Sequence, residues 1–89
     1  MLNIKKFSAD WCSPCRILGP VVESIKLDYK NNTDVKFDSY NIDNDVDEAK
    51  KYNVRSIPVI VFEKDGKEVG RIIGSKPKME IVNMIEKFI

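Results

Sequence analysis

The stretch Phe7-Ser8-Ala9-Asp10-Trp11-Cys12-Ser13-Pro14-Cys15 joins two segments of different periodicity and holds both cysteines of the chain. Upstream, Leu2–Ser8 is short and partly apolar, interrupted by Lys5 and Lys6, and reads as a strand. Downstream, from Cys15 to Tyr29, Leu18, Val21, Val22, Ile25 and Tyr29 recur at helical spacing. Pro14 suits the first turn of that helix, where a missing N–H costs nothing. Pro20 lies inside it and predicts a kink. A C-x-x-C placed between a strand and a helix start reads as a redox pair.

The chemistry follows from the placement. Free N–H groups and the dipole at a helix N-terminus favour an anion. Cys12 is therefore expected as the thiolate, its pKa lowered from about 8.5 into the ~3.5–7.5 range of such sites. Cys15, one turn further in, is expected to be shielded. Residues three apart on a helix approach the roughly 4.4–6.8 Å Cα separation of a disulfide. Cys12 would attack a substrate disulfide, and Cys15 would then attack Cys12 and release the reduced product. Other uses of the spacing compete. A structural bridge over so short a loop would contribute only about 2 kcal/mol. A zinc site needs four ligands, and without histidine only a dimer supplies four thiolates. Haem attachment needs a histidine where Arg16 stands.

Beyond Tyr29, Asn31–Asp34 is a turn cluster and Val35–Ile42 reads as a second strand. Asn41–Asp45 breaks it, and Val46–Tyr52 reads as a short helix with charged flanks. Ile57–Phe62 is the most β-prone stretch. Lys64-Asp65-Gly66-Lys67 predicts a hairpin turn, with Glu68–Ile73 returning and Gly74 ending the strand. Pro77 opens a last helix whose buried face is expected to be Ile81, Val82, Ile85, Phe88 and Ile89. The order β-α-β-α-β-β-α is that of an α/β domain. A helix between the first two strands implies a right-handed parallel pair, and the hairpin adds antiparallel strands to a small mixed sheet.

Composition narrows the function classes. Eighty-nine residues make a single domain, 1–89, with one modest core. Fifteen basic and fourteen acidic side chains leave a net charge of +1, which gives no electrostatic footprint for nucleic acid or an anionic membrane. No apolar run is long enough to span a bilayer, and the first ten residues carry no secretory h-region. The absence of histidine removes the commonest general base and the commonest metal ligand. No cofactor or metal is expected.

At these residues the chain resembles the thioredoxin family. Phe7–Cys15 is similar to the family's active-site segment, with Trp11 before the first cysteine. Pro20, Asn41-Ile42-Asp43, the approach Tyr52–Pro58, the Lys64-Asp65-Gly66 turn and Gly74 match in order and spacing, from about Phe7 to Ile89. The resemblance implies a minimal thioredoxin fold, a four-stranded mixed sheet lacking the family's usual first strand and helix. It implies Cys12 as nucleophile, Cys15 as resolving cysteine and a Cys12–Cys15 disulfide. It also implies a cis bond before Pro58, where the residues alone read as a trans proline opening a strand. Trp11, Ile57, Pro58, Ile73 and Gly74 would form an apolar rim for substrate chains, although Ile73 reads equally well as core.

Three departures bear on tuning. Ser13-Pro14 replaces the family's Gly-Pro, Ser8 replaces a tryptophan, and Lys6 with Ser39 replaces a buried aspartate and its lysine partner. The implied function is a cytoplasmic, monomeric protein-disulfide reductase, recharged by a thioredoxin reductase or an equivalent donor. A glutathione-using, glutaredoxin-like protein is the alternative enzyme. It is disfavoured by Trp11, by Ser13-Pro14 and by the absence of a Gly-Gly element near the C-terminus. A non-catalytic binding module is the alternative outside enzymes.

Overall fold

The computed structural model describes residues 1–89. Its elements are β1 (Leu2–Ser8), α1 (Ser13–Asp28), β2 (Val35–Asn41), α2 (Val46–Lys51), β3 (Val59–Lys64), β4 (Lys67–Ile73) and α3 (Lys78–Phe88). They build one four-stranded sheet in the order β2-β1-β3-β4. β1 and β2 are parallel, in register from Leu2↔Val35 to Ser8↔Asn41. β1 with β3 and β3 with β4 are antiparallel. No helix is long and apolar enough to cross a membrane.

The two central strands explain the core. Alternate residues of β1 point to opposite faces. Leu2 and Ile4 join Ile60 and Phe62 of β3 beneath Leu18, Val22 and Ile25 of α1 and Ile81 and Ile85 of α3. On the other face, Phe7, Val59 and Val61 pack with Tyr52 under the short helix α2. Both faces of β3 are covered, so Val59, Ile60, Val61 and Phe62 are all buried and the strand reads as a continuous apolar run. Each such side chain contributes about 1.5–3 kcal/mol by leaving water.

Several boundaries differ from the sequence reading. β3 begins at Val59 rather than Ile57, because Pro58 has no N–H for the ladder. β2 ends at Asn41 and α2 at Lys51, one residue short of expectation in each case. Pro77 caps α3 rather than occupying its first turn. Ile89, expected on the buried face of that helix, is exposed, and Met84 packs against the core from α3 instead. α1 stays helical across Pro20, whose ring lies on the exposed side. The hairpin is as expected: Asp65 (φ 53°) and Gly66 (φ 84°) both adopt positive φ, as a type I′ turn requires.

Candidate active site

The site lies where β1 hands over to α1. After Ser8 the chain turns through Ala9-Asp10-Trp11, and Cys12 caps α1 with extended backbone (φ −94°, ψ 110°). The Cys15 N–H donates to Cys12 Sγ at 3.3 Å. A sulfur thus takes the role that a serine or aspartate oxygen usually fills, satisfying one of the orphan donors of the first turn. Cys12 and Cys15 are joined in a disulfide with Cα atoms 5.3 Å apart, inside the usual range. With Ala9 they form a small buried cluster, against which Ile42 and Ile57 pack. Cys15 was expected to be the shielded member. In the disulfide the two are equally covered, 5% exposed for Cys12 and 7% for Cys15. What separates them is the cap: only Cys12 Sγ receives a backbone N–H. No charged residue is buried in the core. The stabilisation available to a Cys12 thiolate therefore comes from the helix end rather than from an interior cation.

The opposite wall comes from the segment before β3. The Ile57–Pro58 bond is cis, and Pro58 is fully buried. The carbonyl oxygen of Ile57 lies 3.8 Å from Cys12 Sγ. In the disulfide that sulfur has no hydrogen to donate, whereas a Cys12 thiol would have one. Gly74, at φ +90°, donates its N–H to Pro58 O at 2.8 Å and ties the end of β4 to the proline. Ile73 is 55% exposed and so is not core. Trp11 is 65% exposed, and Ser13 and Pro14 are exposed at the start of α1. Exposed Trp11 and Pro14 therefore adjoin a covered disulfide.

Lys6 occupies the face of β1 shared with Ile4, in register with Ile60 and with Ser39. It is half-buried and belongs to none of the ion pairs. Ser39 is exposed on the edge strand, so the pair of departures does not form a buried replacement interaction. Four residues without an assigned role, Asp10, Arg16, Asn41 and Asp43, hold the loop. Trp11 Nε1 donates to Asp43 Oδ2 at 3.0 Å. Arg16 donates to Asp10 O through Nη2 at 3.0 Å and Nε at 3.3 Å. Asn41 Nδ2 reaches Asp10 Oδ1 at 3.5 Å. The Asn41-Ile42-Asp43 segment was visible as a motif. Its contact with Trp11 spans 32 positions, and nothing local signals it.

A family model described as Thioredoxin matches residues 2–87. The chloroplastic M-type thioredoxin of Chlamydomonas reinhardtii is 43% identical over 83 residues, 93% of this chain and 58% of that protein. The thioredoxin of Chlamydia caviae is 40% identical over 81 residues, covering 91% of this chain and 76% of its own. The X-ray structure of Fasciola hepatica thioredoxin superposes with a TM-score of 0.87 at 35% identity, over 97% of this chain and 79% of that one. The chain thus spans little more than half of the algal relative and about three quarters of the other two. The family match runs through both cysteines and the cis-proline, and the chain belongs to the thioredoxin family of thiol–disulfide oxidoreductases.

Proposed function

We propose that this chain reduces disulfides in other proteins, with Cys12 as nucleophile and Cys15 as the resolving thiol. The observation that carries the assignment is the cap: Cys12 Sγ accepts the Cys15 N–H at 3.3 Å at the N-terminus of α1. Negative charge on that sulfur is favoured by the unpaired N–H groups of the first turn. The Cys12 thiolate attacks one sulfur of a substrate disulfide. A Cys12–substrate bond forms, the substrate disulfide breaks, and one substrate thiolate leaves. Cys15, as thiolate, then attacks Cys12 Sγ. The second substrate thiol is released, and the Cys12–Cys15 disulfide carries the two electrons' worth of oxidation. An external dithiol donor, a thioredoxin reductase or its equivalent, returns the pair to dithiol. Exposed Trp11 and Ile73, and the Ile57 carbonyl beside Cys12, would supply a surface for an extended substrate segment. A reducing, cytoplasmic setting suits this direction of reaction, and the absence of further cysteines to staple the fold accords with it.

The test separates the two thiols. In the reduced protein at neutral pH, iodoacetamide should alkylate Cys12 well before Cys15. Cys15→Ser should accumulate mixed disulfides with a disulfide-bonded substrate such as insulin, and Cys12→Ser should accumulate none. Equal labelling, or trapping by Cys12→Ser, would reverse the assignment. Turnover with glutathione alone as donor, and none with a thioredoxin reductase, would instead make the protein glutaredoxin-like.

A further inference from the structure

Both outer strands of the sheet, β2 and β4, expose an edge, and the two edges differ. β4 carries an irregularity: Phe62 pairs with Gly70 and Glu63 with Glu68, leaving Val69 without a partner. A bulge of this kind spoils an edge for further pairing. β2 is regular over seven consecutive pairs. Its hydrogen bonds to β1 begin with Leu2 N–H to Asp34 O and end with Ile42 N–H to Ser8 O. Parallel ladders use alternate residues. Asp34, Lys36, Asp38, Tyr40 and Ile42 therefore bond inward, and the backbone groups of Val35, Phe37, Ser39 and Asn41 face outward. The ends of that outer row are already engaged. Val35 N–H donates to Asn32 O, Asn41 N–H donates to Asp45 Oδ2, and Asn41 O accepts from Asn44 and Asp45. What stays open is the C=O of Val35 and both groups of Phe37 and Ser39.

We propose that this edge is a self-association surface, and that two copies of the chain pair antiparallel through β2 about a two-fold axis at Phe37. In that register the Phe37 N–H and C=O groups of the two copies bond each other, and each Ser39 N–H meets the other copy's Val35 C=O. The residues between fall in the closer, non-hydrogen-bonded class of pair. They are Lys36 of one copy opposite Asp38 of the other, and the converse. Neither side chain belongs to any ion pair within the chain, and Lys36 is exposed. The register that fills every open backbone group except the Ser39 C=O is thus the one that opposes unlike charges, and an isologous contact makes the match twice. An edge lysine alone would discourage pairing; Asp38, two residues on, converts it into half of a complementary set. The joined sheet would leave the disulfide free in both copies, because Cys12 follows the far end of β1. The monomer expected from sequence is then the dissociated form.

Sedimentation equilibrium over a concentration series tests this without reference to activity. The wild-type chain should show a reversible monomer–dimer equilibrium. Lys36→Asp and Asp38→Lys each place like charges opposite one another and should raise the dissociation constant about tenfold or more. An equimolar mixture of the two variants should dimerise again, since every opposed pair is then unlike. Ser39→Pro, which removes an outward N–H from an exposed position, should also dissociate the dimer while the far-ultraviolet spectrum is retained. A wild type that is monomeric at every concentration, or a dimer indifferent to these changes, would overturn the proposal. Insulin reduction by the monomeric variants reads the redox assignment separately.

Discussion

Lys6 stands on the sheet face that α1 covers, level with Ile60, yet its half-buried side chain finds no carboxylate. Burying an unpaired ammonium would cost several kcal/mol, so the charge keeps contact with water and its field is screened. A carboxylate in its place would disfavour thiolates nearby and so favour the oxidised form. Lys6→Asp should therefore make the reduction potential of the Cys12–Cys15 couple more negative, by no more than about 30 mV, the equivalent of ~1.4 kcal/mol. Equilibration against glutathione buffers measures it. A shift of opposite sign, or one several times larger, would mean that residue 6 is coupled to the cysteines more strongly than a screened charge allows. At this scale, legibility in the sequence tracked locality. Cys12 and Cys15 declare themselves because their chemistry lies in their own residue types and spacing, whereas the cis bond at Pro58 is legible only through the family resemblance, since the residues alone read as a trans proline. Asp10, Arg16 and Asp43 act through contacts made after the loop has folded, with ordinary surface side chains that carry no local signal.

Among the elements, the hairpin and α3 depend on one small residue. A Cβ at Gly70 of β4 would lie 2.9 Å from Met84 Cε and 3.0 Å from Phe88 Cε2. The methionine end is flexible, but the Phe88 ring packs against Phe62 with centroids 6.3 Å apart and has less room to yield. Gly70→Val should lower the unfolding free energy by roughly 1–3 kcal/mol, the usual cost of overpacking. Combined with Met84→Ala, it should cost less than the sum of the two single changes. Urea titration of the four proteins measures the cycle, and strict additivity would show that β4 and α3 do not meet as described. Nothing local to Gly70 signals this, because its meaning depends on side chains 14 and 18 positions away. The element order is legible from the helical period of α1 and α3, the apolar run of β3 and the turn residues between elements, although α2 has no apolar face of its own. The misplaced ends were of another kind. Ile57-Pro58 has strand composition, but the ladder needs an N–H that proline lacks. Ile89 fits the helical period of α3, but the helix ends before it can be buried.

Over the whole molecule, tyrosines mark the joints between layers, and they set how stability should depend on pH. Tyr29, at the end of α1, donates to Glu86 of α3; burial and that hydrogen bond push its hydroxyl from 10.0 up to about 12. Tyr52, after α2, lies between Lys5 of β1 and Glu63 of β3. Burial and the bond to Glu63 raise it, against the opposing pull of Lys5. Burial also raises Tyr40, again with Lys5 opposing. For Lys5 burial acts downward, but the Tyr52 hydrogen bond and the charges of Tyr52 and Glu63 outweigh it and hold the ammonium above its ordinary 10.5. All four groups keep their protons longer in the folded chain than in the unfolded one. Their contribution is complete below the unfolded values, near 10.0 for the tyrosines and 10.5 for the lysine, and is lost as pH rises through the folded ones. On the acid side Glu68 is held below 4.5, first by its hydrogen bond from Arg71. Its contribution is present above 4.5 and disappears as pH falls through the lowered value. The urea midpoint should thus be flat through neutrality, decline modestly below about pH 4.5, and fall more steeply above pH 10. The measurement belongs in the Cys12→Ser/Cys15→Ser protein, so that alkaline attack on the disulfide does not intervene. Tyr29→Phe, which removes the group raised to about 12, should visibly flatten the alkaline limb. A midpoint that holds steady or rises between pH 10 and 12 would show that these phenols are not tied into the fold as the hydrogen bonds place them.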